Sequence, residues 1–246
     1  MSEVLLEVRG LAKHFGGVKA VDGLDLSVRS GEIVGLIGPN GAGKTTVFNM
    51  LSGTLRPTRG KVLLAGRDIT GWRPHRICAA GMTRTFQVVR PFPSLSVTDN
   101  VLVGAAGGGA SESAARQIAG QTLEFVGLAG QARRPARELS LIDLKRLEVG
   151  RALAARPRVL LLDEVFAGLT PRELPLAVDL VRAIRDRGVT LIVIEHLMQV
   201  VMNLSDRVVV LHHGEELAVG TPDEVVRDPA VIEAYLGTEY RDAQDF

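Results

Sequence analysis

Residues Ile33-Val34-Gly35-Leu36-Ile37 run directly into Gly38-Pro39-Asn40-Gly41-Ala42-Gly43-Lys44-Thr45-Thr46. A five-residue apolar run has the length of a buried strand. The residues Lys44–Leu51, followed by Gly53, have the pattern and stop signal of a helix. The glycine-rich segment between them is therefore a strand-to-helix turn, and it matches G-x-x-x-x-G-K-[ST] in the context that pattern requires. Gly38, Gly41 and Gly43 let the backbone fold tightly enough for successive N–H groups to face phosphate oxygens. The helix start adds the positive end of its dipole to the same anion. Lys44 has the reach for β- and γ-phosphates, and the Thr45 hydroxyl is of the type that ligates Mg²⁺. Pro39, Asn40, Ala42 and Thr46 complete the expected contact set for a bound nucleotide. A chance glycine-rich turn is the plainer reading, and the full match in its proper context weighs against it.

Outward from that loop, Val159-Leu160-Leu161-Leu162-Asp163-Glu164 is a second apolar run, ending in two acids. Alone it is an ordinary strand edge. Beside a phosphate loop, Asp163 becomes the candidate Mg²⁺ carboxylate and Glu164 the candidate base that orients and deprotonates an attacking water. Further strands are expected at Val4–Val8, Leu24–Val28, Lys61–Leu64, Thr190–Ile194 and Val208–His212, with a helix over Arg172–Arg187. This alternation predicts an α/β fold with parallel pairing. Turn-like pairs at Asp22-Gly23 and Ser30-Gly31 add an N-terminal antiparallel β flap. The stretch Pro74–Arg156 has no convincing strand after Val88–Val89 and carries helical periodicity in Ala114–Phe125 and Leu141–Leu153, so it reads as a helical insert. Ala105–Ser113 reads as a solvated loop. Thr221-Pro222-Asp223-Glu224 is a capping-box helix start, and Asp228-Pro229 begins another helix. Residues 1–87 and 156–220 are expected to form the nucleotide-binding core, 88–155 the helical subdomain, and 221–246 a helical tail.

Composition narrows the partners. The chain has 246 residues, with 29 Lys and Arg against 28 Asp and Glu, so no net field favours nucleic acid or an anionic membrane surface. Cys78 is the single cysteine, which fits a reducing compartment. The apolar runs fall far short of a spanning helix, and Met1-Ser2-Glu3 does not open a secretory signal. A cytoplasmic protein is expected.

These motifs, with Arg84-Thr85-Phe86-Gln87 and Val193-Ile194-Glu195-His196, resemble the ATP-binding subunits of ABC transporters. The resemblance runs over nearly the whole chain and implies a P-loop NTPase (RecA-like) core. It implies ATP with Mg²⁺ as ligands, and Mg²⁺ held by Thr45, Gln87 and Asp163. It makes Gln87 the Q-loop glutamine and His196 the switch histidine contacting the γ-phosphate. Phe15 would stack on adenine, with Val18 and Ala20 beside it. Taken singly, Gln87 reads as a surface polar residue, Phe15 as core and His196 as a satisfied strand-end histidine. Within the family, Arg84–Gln87 through Arg90–Val101, and the tail from Gly220 to Gly237, look most like the ATPases of branched-chain amino acid uptake. That likeness implies membrane permease subunits, a second homologous or identical ATPase subunit, an extracytoplasmic solute-binding protein, and a peripheral place on the cytoplasmic face. A soluble ABC-type regulator that dimerises on ATP, and a P-loop kinase, are the competing readings.

The family's Leu-Ser-Gly-Gly-Gln signature aligns with Leu139-Ser140-Leu141-Ile142-Asp143, which keeps only Leu and Ser. Ser140 is the signature position expected to meet nucleotide across a dimer, yet Ser140-x-x-Asp143 also reads as a helix cap. Val165 stands where proline is usual, and Ala167-Gly168-Leu169-Thr170 replaces Ser-Ala-Leu-Asp. An asymmetric pair of ATPase sites is the expectation that follows.

Overall fold

A computed structural model describes residues 3–236. In chain order, β1 (Val4–Phe15) and β2 (Val18–Arg29) lead to β3 (Ile33–Ile37), α1 (Lys44–Leu51), β4 (Arg59–Leu64) and β5 (Arg67–Asp68). Next come α2 (Pro74–Ala79), β6 (Met82–Arg84), α3 (Val97–Gly107), α4 (Glu112–Phe125), α5 (Leu141–Ala154), β7 (Val159–Asp163) and α6 (Leu174–Asp186). The chain continues through β8 (Thr190–Ile194), α7 (Met198–Leu204), β9 (Arg207–His212), β10 (Glu215–Gly220), α8 (Pro222–Val226) and α9 (Pro229–Leu236). The residues fall into two compact units, one of positions up to Arg73 with those from Thr190 onward, the other Pro74–Val189.

In the first unit, β3 pairs in parallel with β8 and β9, and β10 pairs antiparallel with β9. Every residue of β3 and β8 is buried, which is why both read as near-continuous apolar runs rather than alternating ones. Ile37, Val201, Val208, Val210, Val225 and Val231 form one core cluster, to which helices α7, α8 and α9 each contribute a valine. A separate antiparallel sheet has the order β2-β1-β4-β5. The α8 capping box forms as the sequence requires, with Thr221 and Glu224 bonding each other's backbone N–H groups.

In the second unit, β6 and β7 are parallel, with Arg84 opposite Leu161. Helices α3, α4 and α5 bury a cluster that includes Val97, Val101, Ile118, Leu123 and Leu147. All three helices begin with the same device. Ser96, Ser111 and Ser140 are extended N-caps whose hydroxyls accept from the N–H of Asp99, Ala114 and Asp143.

Four details differ from the sequence reading. Asp22-Gly23 is not a turn but lies inside β2, at an irregularity where the pairing shifts between Leu11/Leu24 and Lys13/Val21. The hairpin is turned by Gly16-Gly17, because β1 and β2 run on to pair Phe15 with Val18. The strand of the 74–156 stretch is Met82–Arg84 rather than Val88–Val89. Helix α3 covers Ala105–Gly107 and α4 starts at Glu112, so only 108–111 is loop, closed by the Ser111 cap.

Candidate nucleotide site

The phosphate loop belongs to the first unit, and its glycines are required by space as well as by conformation. At Gly38, with φ 149°, a Cβ would lie 2.1 Å from the carbonyl oxygen of Leu211. At Gly43, with φ 104°, it would lie 2.5 Å from the carbonyl oxygen of Ala20. Gly43 is the N-cap of α1 and provides no side-chain cap to the first turn. The Lys44 side chain is buried and folds back over the loop, donating from Nζ to Gly38 O at 2.6 Å and Pro39 O at 2.9 Å. These two bonds hold the Lys44 ammonium against the backbone of the loop. Thr45 and Asn40 are exposed.

Phe15 and Val18 stand at the tip of the β1–β2 hairpin, 50% and 67% exposed. Phe15 is thus a surface ring and not a core residue, and Lys13 Nζ lies 5.1 Å from its centroid. Ala20 meets the phosphate loop through its backbone, at Gly43. His196 is exposed just beyond β8, after the buried Glu195.

The acids belong to the second unit. Asp163 ends β7 with its side chain 2% exposed, and Arg84 Nη2 donates to its Oδ2 at 2.6 Å. Its own N–H donates to Thr85 Oγ1 at 3.0 Å. Glu164 follows in the left-handed region, φ 49°, which costs a non-glycine residue about 1–2 kcal/mol. Among the contacts that hold it, Lys145 Nζ donates to its carbonyl at 3.0 Å, and Gln87 Nε2 donates to its Oε2 at 2.8 Å. Gln87 and Glu164 are therefore in direct contact, a pairing that the sequence did not specify.

Helix α5 supports the Gln87 segment from behind. Glu148 Oε1 accepts the Phe86 N–H at 2.7 Å, and Arg151 Nη1 donates to Arg90 O at 2.6 Å. Burial pushes the Glu148 carboxyl above its usual range, against the N–H of Phe86 and the charge of Arg151. Ser140 caps α5 as expected. The Asp143 carboxylate accepts from Gln131 Nε2 at 2.9 Å and Ser140 Oγ at 2.9 Å, with Arg146 Nη1 at 3.5 Å. Thr170 donates from both N and Oγ1 to Glu173 Oε2 at 2.8 Å each, so a carboxylate three residues on accompanies the residue that replaces the usual acid.

Sequence reasoning gave no role to Arg84, Lys145, Glu148 or Glu173. A signal for two of them was present. Lys145 and Glu148 share the buried stripe of α5 with Val149 and Ala152, where charge is out of place unless it has a partner.

Residues 21–167 match the family described as "ABC transporter", more than half of the chain. The chain belongs to the ABC transporter family. Residues 215–241 of this cassette also match "Branched-chain amino acid ATP-binding cassette transporter". It is 42% identical to the high-affinity branched-chain amino acid transport ATP-binding protein BraF of Pseudomonas aeruginosa, over 96% of this chain and 99% of the relative. It is likewise 42% identical to LivG of Escherichia coli, with the same coverage and the same description. Among solved structures, an ATP-binding cassette of an ABC transporter in its ADP conformation has a TM-score of 0.88 and 32% identity, covering 96% of this chain and 100% of that one. The P-loop NTPase fold expected from the sequence is thus present, and the cassette is an ATPase of this family. Among the described residues no helix is long and apolar enough to cross a membrane.

Proposed function

We propose that this cassette is the ATP-hydrolysing subunit that powers import of branched-chain amino acids or related solutes, by ATP-driven closure of two cassettes beneath membrane permease subunits. The observation that carries the hydrolytic role is the acid pair ending β7, with Gln87 donating to Glu164. The solute class rests on the relatives, described as branched-chain amino acid transport proteins, and on the matched segment 215–241.

In this reading the N–H groups of Gly38–Thr46 and the Lys44 ammonium bind the phosphates, and Phe15 stacks on adenine with Val18 and Ala20 at its edge. Glu164 takes the proton of the attacking water while Gln87 orients its carboxylate. His196 and Lys44 offset the charge that grows on the transferring phosphoryl group. The donor set fits Mg²⁺: a hydroxyl at Thr45, an amide oxygen at Gln87 and a carboxylate at Asp163 are hard oxygen ligands. When bound, that ion neutralises phosphate oxygens. The cassette works peripherally at the cytoplasmic face, and the complete system includes an extracytoplasmic solute-binding protein.

We further infer that the closed pair is asymmetric. This chain brings the full phosphate loop and Glu164 to one site, whereas its Leu139–Asp143 segment meets a second, weaker site on a homologous cassette. Two features support this: Leu141 is an apolar side chain 47% exposed at the start of α5, and Asp143 is engaged within its own unit. Co-purification with permease subunits and ATP-dependent leucine uptake into proteoliposomes test the assignment. Uptake abolished by Glu164→Gln is expected. A cassette that binds ATP but joins no permease would count decisively against it.

A further inference from the structure

The ion pair between Arg84 and Asp163 is among the most deeply buried in the cassette, with side chains 7% and 2% exposed. A carboxylate so enclosed is costly unless an opposite charge offsets it. Arg84 provides that charge, at 2.6 Å from Asp163 Oδ2.

The backbone around the pair is fixed. Thr85 N donates to Leu161 O at 2.9 Å, and Asp163 N donates to Thr85 Oγ1 at 3.0 Å, so the ends of β6 and β7 are tied to each other. Any adjustment at this point must be made by the side chains. Arg84 has somewhere to go, since its Cζ already lies 5.6 Å from the centroid of the Phe86 ring, a face that accepts a guanidinium. Three residues on, Gln87 holds Glu164. One four-residue segment, 84–87, thus holds both acids of β7 and its successor: Arg84 on Asp163, Gln87 on Glu164.

We infer that Arg84 is a positioning residue that substitutes for the divalent metal's charge at Asp163 and withdraws as that metal binds. The inference rests on the reading of Asp163 as a metal ligand. Two cations drawn to one buried carboxylate repel each other. Arg84 therefore lowers the affinity for metal, offsets the buried charge of Asp163 while no metal is bound, and passes the arrival of metal to the segment that carries Gln87.

The test is a Mn²⁺ titration of the full ADP-loaded chain, with free Mn²⁺ read from its electron paramagnetic resonance signal. Arg84→Gln is expected to bind Mn²⁺ at least about tenfold more tightly than the parent, by removing the competing cation. Its melting temperature should also rise more on Mn²⁺ addition, because the metal then replaces a missing counter-charge. Arg84→Lys, which keeps the fold's charge balance with a single-point donor, should lie between the two and carries the test if Arg84→Gln does not fold. Mn²⁺ affinity unchanged or weakened in these variants overturns the inference. Asp163→Asn separates it from the reading beneath it. If that variant binds Mn²⁺ as the parent does, Asp163 is not a metal ligand, whereas its loss of binding beside an unchanged Arg84→Gln removes the Arg84 role alone.

Discussion

Gln87 Nε2 donates to Glu164 Oε2 at 2.8 Å, while Glu164 itself is held in a left-handed backbone conformation at φ 49°. A side-chain amide is neither an acid nor a base at working pH, so its role toward the carboxylate is to orient it. Strain of this kind persists where the surroundings over-determine it, and here Lys145 on the Glu164 carbonyl contributes.

Glu164→Gln should therefore lower ATP turnover of the assembled transporter by about 100-fold or more, the range of a lost general base, with equilibrium ATP binding unchanged. Gln87→Ala leaves the base in place and should lower kcat by about tenfold with little change in KM. Steady-state hydrolysis and nucleotide binding on the same samples check both. A Gln87→Ala variant that loses only ATP affinity would show that the contact does not serve the base.

Gly38→Ala should be severe, because its Cβ would fall 2.1 Å from the Leu211 carbonyl, a backbone atom that cannot rotate away. A loss of at least about 2 kcal/mol in stability is expected, together with loss of nucleotide binding. Gly17→Ala is the control, since nothing lies within 4 Å of a Cβ there. Urea denaturation with and without ATP measures the difference.

Ser140→Ala should cost about 1 kcal/mol of stability, the usual worth of a serine N-cap, since its hydroxyl accepts the Asp143 N–H. Under the asymmetric reading it should cost little turnover. Thermal unfolding and transporter-coupled hydrolysis decide this, and a turnover loss matching that of Glu164→Gln would refute the asymmetry.

Glu148 gives a pH prediction. Burial raises its folded-state pKa above the ordinary value of 4.5, so in the interval between the two the folded chain holds a proton that the unfolded chain releases. Its contribution to stability is fully present below 4.5 and is lost as pH rises through the raised value. Glu148→Gln keeps an acceptor for the Phe86 N–H without the buried charge. The melting temperature of the variant should gain on the parent from pH 5 to pH 8, measured by calorimetry. A constant difference would mean that Glu148 is not the titrating group.

Much of this cassette is local in its sequence. A five-residue apolar run, a glycine turn and Lys44–Leu51 fix β3, the phosphate loop and α1, because chain geometry and neighbouring side chains alone decide them. The same holds for the serine cap at Ser140 and for the Thr221 capping box, both contacts across three residues. Strand ends were less legible. Residues 9–15 and 215–220 are strand only because β2 and β9 offer them ladder partners, and Asp22-Gly23 looked like a turn because its place inside β2 depends on β1.

The sequence by itself determined that a nucleotide loop, an acid-tipped buried strand and a degenerate signature are present, since each is written in consecutive residues. Tertiary structure alone decided which side chains meet. Arg84 reaches Asp163 across 79 positions, Gln87 reaches Glu164 across 77, and Glu148 reaches the Phe86 N–H across 62. A carboxylate's neighbours set its charge and direction, and those neighbours are brought together by strand register and helix packing, which no local pattern encodes.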